Sequence, residues 1–454
     1  MAFDPPFIVR RLSTCSVKPS PPHSRTRCHL AHWDLAMLSS HYIQKGLLFS
    51  TPRHLTAVAI IERLKSSLSA VLFHFFPLAG RIAAEEALDA SGIYVSIDCD
   101  GQGAEFTHAV VEGAPTTVAS VRSPSSNVPL FVRSFFPLDG AVNYDGRSLP
   151  LLAVQVTELA DGIFLGCCFN HVVGDGVSYW QFFKAWAEIA RGGALQSNPP
   201  VHRRWFFDGS FEPPIKLPFT RPEEFIERFR MPVYRERVFH LAAGSIAGLK
   251  ARANKESSSS SGATISSFQS VTALLWRCIT RARGLPAKQT TNCRVACQNR
   301  ERLRPPLSPE YFGNSIHAQM ATATAGELLA RDLGWAARLV HQAIAAHTDG
   351  SIRKAAAGWL AKPVVYKVSM FDRFSVMMGG SPRFDVYGCD FGWGRAVAAR
   401  SGTAHKFDGK VTFYAGPEGG GSMDLEICLE PAFMEALVED EEFTSNVSVA
   451  GMVD

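Results

Sequence analysis

The chain runs to 454 residues, 46% of them hydrophobic and 19% charged. That balance supports a large buried core and excludes an intrinsically disordered chain. The net charge of +4, from 46 Lys and Arg against 42 Asp and Glu, carries no long block of one sign, which argues against a nucleic-acid binder built on clustered cations. At roughly 100–200 residues per domain the length fits two large domains or one very large one. No apolar run approaches the ~20 residues that a membrane-spanning helix needs. The opening Met1-Ala2-Phe3-Asp4-Pro5-Pro6 has no secretory layout, and Arg10 and Arg11 stand where an apolar segment would be required. A cytoplasmic protein is therefore expected, and the ten scattered cysteines, with no C-x-x-C pair, read as free thiols in a reducing compartment and not as a metal site.

Taken in chain order, Thr56–Phe73 has apolar residues at three-to-four spacing and predicts an amphipathic helix. Leu151–Glu158 and Ile163–Asn170 read as strands joined at Asp161-Gly162, a hairpin signal because glycine takes positive φ cheaply. A helix is predicted over Val177–Ala190. Ser197–Pro222 then carries six prolines, too many for a helix or a central strand. It is read as a crossover linker (197–222) between an N-terminal lobe (1–196) and a C-terminal lobe (223–454). In the second half, strands are predicted at Val233–His240, Arg294–Gln298, Lys410–Tyr414 and Met423–Leu429, and helices at Ile265–Arg283 and Gly326–His347. Glu256–Gly262, with its serine run, reads as a surface loop. Strands and helices mix in both halves, so the fold class is α/β, or α+β mixed, with two similar-sized lobes.

Two segments carry candidate chemistry. In Phe169-Asn170-His171-Val172-Val173-Gly174-Asp175-Gly176 an apolar strand ends, a glycine-flanked turn presents His171 and Asp175, and an apolar helix begins. A histidine at a strand end is well placed as a general base, and an unperturbed pKa near 6.5 leaves it able to accept a proton at about pH 7. Asp175 either orients that ring or caps the turn. The spacing alone is weak, since about 0.7 His-x-x-x-Asp matches are expected by chance in a chain of this composition. The second segment, Asp390-Phe391-Gly392-Trp393-Gly394, is far more specific. It is read as a tight turn in which the glycines supply unusual φ and Phe391 and Trp393 fill a core. Its first three letters match a kinase motif, but no other kinase segment follows.

With these motifs in order, and with Phe76–Arg81 (FPLAGR), Tyr311-Phe312-Gly313-Asn314, and Asn299-Arg300-Glu301-Arg302 ahead of Pro305-Pro306, the chain resembles the plant BAHD acyltransferases over essentially its whole length. Within that family Asp34–Leu38, Tyr42–Phe49, Asn143–Gly146 and Ser381–Gly388 look like the group that includes the isochorismoyl-glutamate lyase of salicylate biosynthesis. The resemblance implies a chloramphenicol-acetyltransferase-like fold in which each lobe is a mixed sheet flanked by helices, with a channel between them. It implies transfer of an acyl group from acyl-CoA, a co-substrate and not a tightly bound cofactor, to a small-molecule alcohol or amine. His171 would be the base. Asp175 and Arg300, with Gly174, would hold the catalytic turn as a structural ion pair, and Asp390 to Gly394 would be architectural.

The resemblance further implies a monomer with no metal, nucleic-acid or membrane partner, and an acceptor face that includes His41 and Tyr42. Arg383 is a second acceptor candidate, as a cation for a carboxylate, the alternative being a solvated surface arginine. The sequence departs from the family at a Ser-Trp-Ser/Thr stretch that helps hold the tetrahedral intermediate: here the positions are Gly380, Ser381 and Pro382, so Ser381 or a backbone N–H would have to substitute. The alternative activity is a coenzyme-A-independent lyase acting on an isochorismoyl-glutamate-like conjugate.

Overall fold

The computed structural model describes residues 8–449 except 53, 114, 123–126, 208–213, 230–231 and 258–263. Most of the serine run, part of the linker and the first seven residues lie outside the described residues.

Two sheets carry the molecule. The first has the order Ile8–Val17, Ala104–Glu112, Leu152–Glu158, Gly162–Phe169, Ile43–Ser50, Ala398–Ser401. Only its second and third strands run parallel to each other. The second sheet has the order Ile316–Thr324, Thr290–Gln298, Val376–Gly380, Lys410–Ala415, Met423–Leu429, Arg235–Leu241, Ser448–Val449, with parallel pairs flanking Val376–Gly380. A smaller sheet of Thr26–His29, Ile93–Cys99 and Arg81–Glu86 takes a fourth short strand, Lys216–Leu217, from the proline-rich linker. This is the expected mixed α/β architecture with two sheet-rich lobes.

Helices Ala57–His74 and Gly176–Gly192 cover the first lobe's core. They are pinned together where Trp186 Nε1 donates to Ser67 Oγ at 3.0 Å. Ala243–Ser257, Ser267–Ala282 and Leu333–Ala345 cover the second core. The single helix expected over Gly326–His347 is two, Ala325–Ala330 and Leu333–Ala345. Arg331 and Asp332 are extended, and the Asp332 carboxylate caps the second helix by accepting from Trp335 N at 2.7 Å. A local side-chain acceptor outcompetes the continuing helix there.

The division at 197–222 is not the only place where the chain changes lobe. Ala398–Ser401 pairs antiparallel with Ile43–Ser50 in the first sheet, and Val386, Tyr387, Cys389 and Phe391 lie in the first lobe's core. The segment after Val376–Gly380 therefore crosses back, pairs with the N-terminal lobe, and returns at Lys410. Strand alternation explains what this crossing encloses. Val376, Met378, Val411, Phe413, Leu425 and Ile427 face the second core. The intervening Met377, Gly379, Lys410, Thr412, Tyr414, Asp424 and Glu426 must face the opposite way, toward the first lobe.

Among the described residues no helix is long and apolar enough to cross a membrane. All ten cysteines are free thiols, and Cys28 and Cys99 come closest, Sγ to Sγ 3.6 Å.

Candidate active site

His171 follows strand Gly162–Phe169, and the turn is held from several directions. Asn170 Oδ1 accepts from Val172 N at 3.0 Å, and the His171 backbone N–H donates to Asn143 Oδ1 at 2.8 Å. Gly174 leaves no room for a side chain, since a Cβ there would stand 2.6 Å from Ser178 Cβ. Asp175 is wholly buried and caps the following helix, its Oδ1 accepting from Val177 N and Ser178 N, both at 3.1 Å. Arg300 meets the same carboxylate with two parallel bonds of 2.8 and 2.9 Å, and Ser315 N adds a third donor at 2.9 Å. Burial pushes the Asp175 pKa up, but Arg300 and the backbone donors more than offset it and hold it below the ordinary carboxylate value. The structure thus brings Asp175 and Arg300 into a bidentate buried pair at the base of the turn that carries His171 and Gly174.

The ring itself is fixed from the second lobe. His171 Nδ1 lies 3.1 Å from Asn314 Oδ1, while Asn314 Nδ2 donates to the His171 carbonyl at 2.7 Å and to Asp34 Oδ1 at 2.9 Å. Because the Asp34 carboxylate and a carbonyl can only accept, the Asn314 amide must turn its NH₂ toward them and its oxygen toward His171. Nδ1 therefore carries the proton and Nε2 keeps its lone pair. Asp34, fully buried, is in turn paired with Arg204 (Nε to Oδ2 3.0 Å). Arg204 also donates to the carbonyls of Phe312 and Val173, and it borders a cavity of about 830 Å³ lined by Cys28, Phe76, His202, Trp205 and Tyr311. Burial lowers the His171 pKa below 6.5, only partly opposed by its hydrogen bonds and by Asp175 and Asp34. Neither Asp34 nor Asn314 was marked as a site residue by sequence reasoning. The available signal was their place in the two quoted stretches, Asp34–Leu38 and Tyr311–Asn314.

Two more histidines stand near the ring. His405 meets His171 edge-on at a centroid distance of 5.8 Å and His41 at 5.8 Å. Its φ of +59°, rare for a side chain of this size, is held by the crossing segment, where Ala404 N donates to Gln44 Oε1 at 3.0 Å. Burial and the neighbouring His171, His41, Lys410 and Lys45 keep His405 neutral by driving its pKa far down.

Of the expected acceptor residues, His41 is 8% exposed and reaches this group. Tyr42 does not: it is 0% exposed in a cluster with Leu48, Phe135 and Phe164, and its hydroxyl donates to the Pro150 carbonyl at 3.2 Å. It directly follows His41, and strand alternation sends it to the other side. Ser381 and Arg383 share a turn in which Ser381 Oγ accepts from Arg383 N at 3.1 Å, and the Arg383 side chain is exposed.

The second motif is a clamped turn. Asp390 Oδ1 accepts from Gly392 N and Gly394 N at 2.8 and 3.0 Å, with φ of +100° and +114° at those glycines. Phe391, fully buried, packs edge-on against Trp186 at 5.1 Å and stacks on Trp393 at 5.6 Å. Truncation of Phe391 to alanine is expected to cost about 3–5 kcal/mol, read as a lowered denaturation midpoint, with the turnover of the protein that remains folded unchanged.

A model of the Transferase family matches residues 7–444. An uncharacterized acetyltransferase of Arabidopsis thaliana is 38% identical over 423 residues, covering 92% of this chain and 94% of the relative. The BAHD acyltransferase DCR of the same plant is 35% identical over 454 residues, covering 96% and 92%. The crystal structure of F. sporotrichioides TRI101 complexed with coenzyme A and T-2 superposes with a TM-score of 0.74 over 94% of this chain and 100% of that one, at 17% identity, a likeness of fold. The family match, the identity to plant relatives over nine-tenths of the chain and the shared two-sheet fold place this protein in the Transferase family, among the BAHD acyltransferases.

Proposed function

We propose that the protein transfers an acyl group from an acyl-CoA thioester to the hydroxyl or amine of a small molecule, with His171 as general base. The observation that supports this best is the Asp34–Asn314–His171 arrangement, which occupies Nδ1 and leaves Nε2 as the proton acceptor. The coenzyme A held by the TRI101 structure and the activity in the name of the relative DCR point the same way. Nε2 takes the proton from the acceptor O–H or N–H as that atom attacks the thioester carbonyl. The tetrahedral intermediate then breaks its C–S bond, and the imidazolium returns the proton to the leaving thiolate. A neutral ring at physiological pH suits this, because a protonated one has no lone pair to accept with.

In this reading Asp175, Arg300 and Gly174 keep the turn in shape, and Asp390 to Gly394 lock the crossing segment to the first lobe. His41 and Ser381 are assigned to the acceptor side. The test is thiol release by purified protein given a panel of acyl-CoAs with alcohols and amines. Acceptor-dependent release lost in His171→Ala supports the reading. Turnover of an isochorismoyl-glutamate conjugate without coenzyme A, unaffected by that substitution, would overturn it.

A pH dependence follows from the burial of His171. Its pKa in the folded protein is depressed, so the active neutral form persists to lower pH than free histidine allows. With neutral reactants, the acid limb of kcat/KM is expected only as the pH drops through the lowered value, below 6.5. An acid limb centred at or above 6.5 would contradict the assignment.

A further inference from the structure

Charged side chains from both sheets meet where the second sheet looks toward the first lobe. Lys406 is 4% exposed and bridges two carboxylates, Glu236 and Glu426. Lys45, reaching across from the first sheet, donates to Ser401 Oγ at 2.6 Å and Tyr414 Oη at 2.7 Å, both neutral. Arg400, 1% exposed, donates among the described residues to the carbonyls of Val121, Ala399 and Arg122. Lys410 is half-buried, and no carboxylate of the described residues lies within ion-pairing distance of its ammonium. Asp408, close in sequence, is answered by Arg283. Glu236 and Glu426 are answered by Lys406 and Asp424 by His240, and among the described residues Lys410 is the cation with no acceptor.

Its position is specific. Lys410 lies on the strand next to Val376–Gly380, in register with Met377, and its Nζ sits over Gly379, where a Cβ would stand 2.1 Å from it. Any side chain at 379 would displace the ammonium. The loop that carries His405 to the edge of His171 also leads into Lys410, five residues on, and the Lys410 charge is felt at His405. A charge in such surroundings is costly unless an anion meets it.

We propose that Lys410, backed by Lys45, binds a carboxylate carried by one of the two reactants, holding that reactant beside His171. This deepens the transferase reading and rests on it. Burial lowers the two amines, Lys45 to about 7 and Lys410 to about 8, and a carboxylate beside them would raise both again. Arg383, which sequence reasoning offered as a candidate for this task beside a solvated surface arginine, is solvent-exposed and lacks this enclosure.

The experiment has two parts. In the first, benzoate and its neutral isostere benzamide are titrated against the full chain by calorimetry. Wild type is expected to bind the acid about tenfold more tightly than the amide, and Lys410→Met to lose that preference while still binding the amide and melting at the wild-type temperature. Lys410→Arg is expected to keep a preference for the acid. Equal binding of acid and amide by wild type, which requires no variant to fold, overturns the proposal.

In the second part, transfer is followed with malonyl-CoA against acetyl-CoA, and with a hydroxy acid against its amide as acceptor. A preference for malonyl-CoA that Lys410→Met abolishes assigns the carboxylate to the donor, and a preference for the hydroxy acid assigns it to the acceptor. Transfer between neutral reactants with no preference for an acid on either side overturns the anion site and leaves the transferase reading intact. Acid-selective binding without transfer from any thioester overturns the transferase reading and leaves the anion site standing.

Discussion

Replacement of His171 by alanine is expected to lower kcat/KM by about 10²–10⁴, the ordinary worth of a positioned general base, with the fold preserved. The side chain is half-buried and makes one hydrogen bond, to Asn314. The turn around it is held by backbone groups and by Asn143, Asn170 and Asp175, which the substitution leaves in place. Stopped assays of thiol release with saturating acyl-CoA, read beside the thermal midpoint, separate the two effects. A loss of rate at constant midpoint is the expected outcome. A variant that retains more than about a tenth of the rate contradicts the role of the base, since that corresponds to less than about 1.4 kcal/mol of transition-state stabilisation.

The Asp175–Arg300 pair carries the second large effect, on stability. Asp175→Ala removes a carboxylate with no exposure and strands a guanidinium that is 4% exposed. Breaking such a pair from one side costs about 3–5 kcal/mol, and the lost helix cap adds about 1 kcal/mol. That is a large share of the 5–15 kcal/mol that holds a typical domain together. Soluble yield and thermal midpoint should both fall, with activity falling in step. Normal stability with lost activity would show that Asp175 serves the chemistry directly. Asp175→Asn combined with Arg300→Met should recover part of the loss, because removing both charges leaves neither uncompensated, and double-mutant analysis gives the coupling. The sign with pH follows from the depressed carboxylate pKa. The pair's contribution is fully present above the unfolded value near 3.8 and is lost as the pH falls through the lower folded one.

Much of this could be read from the residues alone. Three of the four expected helices and all six expected strands lie where their apolar residues put them: the helices turn an apolar face to a core, and strands such as Gly162–Phe169 are apolar runs buried on both faces. Local chemistry also marked the strand–turn–helix around His171 and the glycine-clamped turn at Asp390.

The remainder depended on chain segments that meet only after folding. His171 and Asn314 are 143 residues apart, and Asn314 and Asp34 are 280 apart, so no local pattern could assign the tautomer of the His171 ring. Tyr42 and His41 are neighbours, yet one seals a core and the other faces His405, a choice made by which sheet face the strand offers. In the sequence Lys410 is only the first residue of an expected strand, and its surroundings come from the crossing segment that precedes it. The amino-acid sequence by itself determined which segments become helix or strand and where a base could stand. Only the tertiary structure decided which nitrogen of that base is free and which cation lacks a partner, because hydrogen-bond satisfaction and charge balance are properties of enclosed space.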